Sequence, residues 1–237
     1  MEYSPVLAIV TAAFEIVVAA WALDRVRRTR DGRRVLVTTS AILLLLAGYQ
    51  LAEVAICADV TAAGFAPRLA FIIVTWLPPL GLLLISQLRR PRSRVTSGAA
   101  YVMFAVAAGI VVWIAVDRSF ATASVCNAVY ARYAHAMPHF LIYSSYYWLG
   151  VLGMALLSGY GALTCRDGRR RGQLTQIFVG TLAFVVPSIA FSWLVPPARG
   201  ALPSIMCHFA LLLAVCLALL IHLENRRAEQ EAVAQAG

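Results

Sequence analysis

The sequence predicts an all-α membrane protein, a seven-transmembrane helix bundle with its N-terminus outside and its C-terminus inside. Three observations lead there. Of the 237 residues, 61% are hydrophobic and 13% charged, whereas soluble domains run at roughly 45–50% apolar and about 25% charged. Seven stretches reach the roughly 20 apolar residues that a helix needs to cross the hydrocarbon core. The basic residues, finally, alternate from one side of those stretches to the other. This composition excludes a soluble enzyme, a disordered regulator and a small disulfide-stapled secreted domain. All 20 basic residues are arginine, which removes a Schiff-base lysine, and with it a retinal carrier, as well as a P-loop lysine.

The spans fall at residues 5–23, 35–57, 66–88, 99–116, 139–164, 174–195 and 204–223. Before the first, Met1-Glu2-Tyr3-Ser4-Pro5 lacks the basic region of a cleavable signal peptide, so that helix is expected to be retained. The second follows Arg33 and Arg34. The third contains Pro78 and Pro79 and the sixth Pro187, which membrane helices tolerate where neighbours satisfy the freed carbonyls. The longest loop, 117–138, precedes the fifth span, which begins near Pro138 because proline disfavours α geometry at Met137. Residues 1–225 thus form the helical domain, and 226–237 a cytoplasmic tail too short for a catalytic output domain. No span shows the two-residue alternation of a barrel strand, and no strong internal repeat supports an inverted-repeat transporter.

Orientation follows from arginine. Arg25, Arg27, Arg28, Arg30, Arg33 and Arg34 lie between spans 1 and 2, and Arg89, Arg90, Arg92 and Arg94 between 3 and 4. Arg166, Arg169, Arg170 and Arg171 lie between 5 and 6, and Arg226 and Arg227 follow span 7. The opposite side holds Arg68, Arg118, Arg132 and Arg199. Cytoplasmic loops carry the excess of basic residues, which accounts for the net charge of +9 without nucleic acid as a partner. The expected location is the cell inner membrane, crossed several times.

Few polar residues interrupt the spans. Tyr49, Gln50, Glu53 and Cys57 share one face of span 2, and His139, Tyr143, Tyr146 and Tyr147 descend span 5. Ser204, Cys207 and His208 open span 7, and Ser188, Ser192 and Trp193 close span 6. Glu15 sits near the middle of span 1, one turn after Thr11. One reading is an outward-facing cavity lined by Gln50, Glu53, His139, Tyr143, Tyr147 and His208. The other is that these groups hydrogen-bond between helices, or that the tyrosines form an interfacial belt. A membrane carboxylate costs about 2.5–3.5 kcal/mol even on a lenient insertion scale, which favours a functional role for Glu53. Glu15 has no polar stripe around it and equally suits a neutral interhelical donor.

His135, His139, His208 and Glu53 also make a candidate metal set, with residue types that suit zinc or another transition metal. Against it, Pro138 separates His135 from the helix carrying His139, and no His-Glu-x-x-His motif is present. A metal ion is therefore the one candidate cofactor. His222 reads as interfacial. Cys57, Cys126 and Cys207 lie on the outer side, where oxidation is permitted. A Cys57–Cys126 bridge would tie the long loop to span 2; Cys207 competes for either partner, and spacing does not decide. All five cysteines also suit plain apolar packing.

Gln50-Leu51-Ala52-Glu53 and Ser204-Ile205-Met206-Cys207-His208-Phe209-Ala210 resemble elements of a group of uncharacterised bacterial seven-helix integral membrane proteins, with Gln-x-x-Glu in helix 2 and Ser-x-x-Cys in helix 7. Trp76-Leu77-Pro78-Pro79 is similar to a third element of that group. Val54 and Met206 depart from its pattern, which has Gly and Trp there. The resemblance implies a seven-helix membrane protein and marks Gln50, Glu53 and Cys207 for mutation.

Three functions follow as expectations. The first is a sensor or accessory subunit that binds a small molecule or a membrane-protein partner through the outward pocket. The second is an intramembrane hydrolase or lipid-modifying enzyme, metal-dependent in one version, with Glu53 as base and His139 and His208 as ligands or acid. The third is a proton-coupled transporter using Glu15 and Glu53, for which the inner halves of the helices offer no polar path.

Overall fold

The computed structural model describes residues 4–28, 32–58, 65–89, 94–121, 123–127, 130–134, 137–195 and 201–236, with backbone alone for 28, 123, 124 and 226–236. Its elements are α1 (Val6–Arg28), α2 (Arg33–Cys57), α3 (Ala66–Thr75), α4 (Leu77–Leu88), α5 (Arg94–Val116), β1 (Ala123–Cys126), β2 (Ala131–Ala134), α6 (Met137–Thr164), α7 (Gly168–Leu194) and α8 (Leu202–Ala236). With α3 and α4 taken as one span, Ala66–Leu88, seven helical segments among the described residues are long and apolar enough to cross a membrane. They form an all-α bundle in which α2, α4 and α8 lie inside, while much of α5, α6 and α7 faces outward.

The third span breaks at Trp76 for a definable reason. Pro78 and Pro79 lack N–H groups, and their rings displace the carbonyls four residues earlier. One of those carbonyls, on Thr75, accepts the Tyr146 hydroxyl of α6 at 2.7 Å. A side chain from a neighbouring helix thus takes up the acceptor that the proline frees, as buried backbone requires. Tyr146 is accounted for as structure. At the same crossing Gly150 of α6 meets α4, where a β-carbon would collide with the Pro78 ring and come within 3.0 Å of Met103 Cε. Gly150→Ala is therefore expected to cost about 1–3 kcal/mol, the usual penalty for overpacking. Unfolding of the purified protein in detergent measures it, and an unchanged midpoint would show that the crossing is looser than this geometry.

Several boundaries differ from those expected from apolarity: α1 runs on to Arg28 and α5 starts at Arg94, each five residues beyond the expected span. α7 starts at Gly168, six residues before the apolar run, because the Asp167 side chain caps it by accepting the Arg169 backbone N–H at 3.0 Å. α6 starts at Met137, with Pro138 in the first turn, where its missing N–H costs nothing. α8 continues to Ala236, so most of the segment read as a tail is helical; its Ala, Glu and Gln residues are good helix formers. The long loop holds a two-stranded antiparallel ribbon, with Ala123 opposite Ala134 and Cys126 opposite Ala131.

The bundle has two distinct ends. At the hairpin end, Phe71 of α3 makes edge contacts with Phe120 (5.4 Å), Tyr133 (5.2 Å) and Tyr143 (5.3 Å). This aromatic cluster ties α3, the hairpin and α6 together. Arg68, also buried there, donates to the Ala115 carbonyl at the end of α5 at 3.1 Å, a favourable place for a cation. At the opposite, arginine-rich end, Glu224 of α8 is buried between Arg170 and Gln173 of α7.

Candidate functional site

The polar stripe of α2 meets the start of α8. Gln50 and Glu53, three residues apart and 1% and 0% exposed, project from one face of α2. The Gln50 amide donates to the Cys207 carbonyl. The Ser204 hydroxyl donates to Glu53 Oε1 at 2.8 Å, and itself accepts the Ala131 backbone N–H from β2 at 3.1 Å. One hydroxyl thereby connects hairpin, α8 and α2, using the donor and acceptor capacity of a serine together. A second link joins the Tyr49 and Tyr133 hydroxyls, 3.4 Å apart. One turn beyond Glu53, Cys57 forms a disulfide with Cys126 of β1. Cys207 remains a free, buried thiol. The two segments that carry the resemblance, Gln-x-x-Glu and Ser-x-x-Cys, are thus the two sides of one junction.

Beside this junction lies a cavity of about 50 Å³ whose lining includes Tyr49, Tyr143, Tyr147, Trp148, Met206 and Cys207. Its wall is mostly apolar, aromatic and aliphatic together, and the buried Tyr143 hydroxyl has no hydrogen-bond partner of good geometry. Tyr143 and Tyr147 are the two expected pocket residues found here. Gln50 and Glu53 lie beneath, engaged with α8 rather than lining the space.

The other two expected residues are elsewhere. His208 folds back so that Nδ1 lies 2.9 Å from the Ser204 carbonyl. It lines a separate apolar crevice of about 230 Å³ with Leu7, Tyr130, Phe191, Ile205 and Phe209. His139 packs across the bundle, 5.0 Å from Trp113 and 6.4 Å from Phe120 between ring centres. Its Nε2 lies 3.5 Å from Asp117 Oδ2. The Ser119 hydroxyl and backbone N–H, both bonded to Asp117, hold that carboxyl below its ordinary range, and His139 contributes less. The six residues expected around one pocket therefore divide among four places. Which neighbour each helix face meets depends on packing.

The described members of the candidate metal set are likewise not brought together. Among the described residues no three His, Cys, Asp or Glu side chains gather where they could hold a metal ion. Glu53 is bonded to Ser204, His139 faces α5 and His208 turns to another crevice; His135 lies outside the described residues. Sequence reasoning missed Met206 and Trp148, which no local signal separates from other apolar residues. It also missed the hairpin contacts of Ala131 and Tyr133, which depend on a ribbon that no strong turn motif announces. No family model matches the chain, and a search of curated proteins finds no match.

Proposed function

We propose that the protein is a multi-pass membrane protein of the inner membrane, with its hairpin end outward, that binds a small, mostly apolar ligand bearing one hydrogen-bonding group. It would act as a sensor or as an accessory subunit of another membrane protein. Membrane insertion is supported by the apolar side chains left exposed around the bundle, among them Val17, Val102, Val112, Leu149, Leu156 and Val186. Water does not tolerate such a surface on a monomer. Orientation is supported by the arginine bias. A membrane-impermeant maleimide is expected to label Ser119→Cys in intact cells and to leave Cys165, at the arginine-rich end, unlabelled. The reverse pattern would invert the topology.

The observation that carries the binding function is the cavity itself. It pairs a mostly apolar wall with the Tyr143 hydroxyl, in the manner of pockets in which a few polar groups orient an apolar ligand. Met206→Trp is expected to fill this space. Small phenols and aliphatic alcohols titrated onto the protein in lipid nanodiscs should perturb Trp148 fluorescence in the wild type. That response should be lost in Met206→Trp while its thermal unfolding is retained. A response that survives the filled cavity would place binding elsewhere, and no response in the wild type to any of these probes would sink the ligand class.

A further inference from the structure

α1 buries one narrow face. Ala8, Thr11, Ala12, Glu15, Val18, Ala19 and Ala22 are all buried and recur at the three- and four-residue spacing of a helix face. Four of them are alanine, so α1 comes close to both α2 and α8. Glu15 sits in the middle of that face at 0% exposure. Neither of its carboxyl oxygens has a hydrogen-bond partner, and nor does the Thr11 hydroxyl one turn before it.

On α8, the Cys207 sulfur lies within electrostatic reach of both Glu15 and Glu53. On α2, Gln50 Oε1 and Glu53 Oε2 are buried without partners, and Tyr49 is engaged with Tyr133. His208, on α8, borders α1 at Leu7, one turn from Thr11 and two from Glu15. None of these groups is a lysine or arginine. An ionised carboxylate at such a site would lack both water and a counter-charge. A proton removes the charge and makes the carboxyl a hydrogen-bond donor as well as an acceptor. A metal ion is disfavoured, because no group of three metal-ligating side chains forms among the described residues.

We propose that Glu15 is an intramembrane proton-binding site, taking up and releasing a proton at the junction of α1, α2 and α8. The Leu7–His208 crevice reaches α1 on the stripe that continues through Thr11 to Glu15, and gives the proton its approach. In the protonated form the alanine face of α1 stays closed. Release leaves a bare carboxylate that must draw in water, which couples proton occupancy to the packing of α1. Glu53 keeps its bond to Ser204 and so holds α2 to α8 in both forms. Cys207 borders both this carboxyl and the aromatic cavity, but proton binding at Glu15 does not require a ligand in that cavity.

The test is infrared difference spectroscopy of the protein in lipid nanodiscs as pH is raised. The wild type and Glu53→Gln should lose a carboxylic-acid carbonyl band and gain carboxylate bands. In Glu15→Gln that component should be missing. Should Glu15→Gln fail to fold, the wild type itself gives a second reading with N,N′-dicyclohexylcarbodiimide. In that reaction the acid proton moves to a carbodiimide nitrogen as the carboxyl oxygen bonds the central carbon. The acyl group then shifts from oxygen to nitrogen, leaving a stable N-acylurea that retains every atom. Peptide mapping should find it on Glu15, in an amount that falls about tenfold per pH unit above the titration midpoint. Replacing choline by Na⁺ should change neither reading. Absence of a Glu15 acid band at acidic pH overturns the proposal, and so does protection by Na⁺, which would make this a cation site.

Discussion

Replacing Glu224 by alanine is expected to destabilise the protein by about 3–5 kcal/mol, the usual result of removing one partner from a buried ion pair. Glu224 is 4% exposed and so is Arg170. Glu224 Oε2 accepts Arg170 Nη1 at 3.2 Å and Gln173 Nε2 at 2.5 Å, with Arg169 Nη1 3.6 Å away. Arg170 also donates to Gln173 Oε1 at 3.0 Å, so the three side chains close into one network joining α7 to α8. Loss of the carboxylate removes the Glu224 counter-charge from a guanidinium that is itself buried. Glu224→Gln keeps the shape and one acceptor and should cost less.

Gly32 belongs to the same network. It holds φ +79° at the start of α2, a region open to glycine, and a β-carbon there would strike the Glu224 carboxylate. Gly32→Ala should thus weaken this end through both strain and collision. Unfolding in detergent at two salt concentrations is the measurement. A loss for Glu224→Ala within the ~0.5 kcal/mol of an ordinary surface change would show that the network contributes little.

Removal of the disulfide has the second large effect. The Cys57–Cys126 bridge closes a loop with a sequence separation of 69, and loops of that order lose about 2–5 kcal/mol when opened. In a bilayer, which would restrain the unfolded chain as well, the expected cost of Cys126→Ser falls in the lower half of that range. The bridge holds β1 to the end of α2, while Ser204 and Tyr49 hold β2. Reduction should therefore loosen the hairpin without melting the helices. Cys207→Ser, in contrast, should leave the bridge intact. Non-reducing electrophoresis combined with thermal unfolding separates these outcomes; a bridge that involves Cys207 would reverse the pattern.

Much of the architecture was legible because it follows from local composition. Runs of about 20 apolar residues mark the helices whatever they pack against, and the seven expected spans correspond to the seven apolar helical segments. Their ends were less legible. Asp167 moves the start of α7 outward because capping chemistry, rather than apolarity, sets a helix terminus. The break at Trp76 was foreshadowed by Pro78 and Pro79, but its acceptor, Thr75, and its donor, Tyr146, are 71 residues apart.

The candidate site divides along the same line. Periodicity placed Gln50 and Glu53 on one face of α2, and Ser204 and Cys207 at the start of α8. It did not show that these two faces are bonded to each other, or that His139 packs against α5 and His208 lines the crevice beside α1. Glu224 was not singled out, since a lone carboxylate at the end of an apolar run looks like a solvated terminus until Arg170 is set against it. By itself, then, the amino-acid sequence determined the apolar segments, the faces they present and the carboxylates that interrupt them. Only the tertiary structure decided which face meets which. A helix face is set by a 3.6-residue repeat within one segment, whereas a contact between helices depends on the packing of the whole bundle.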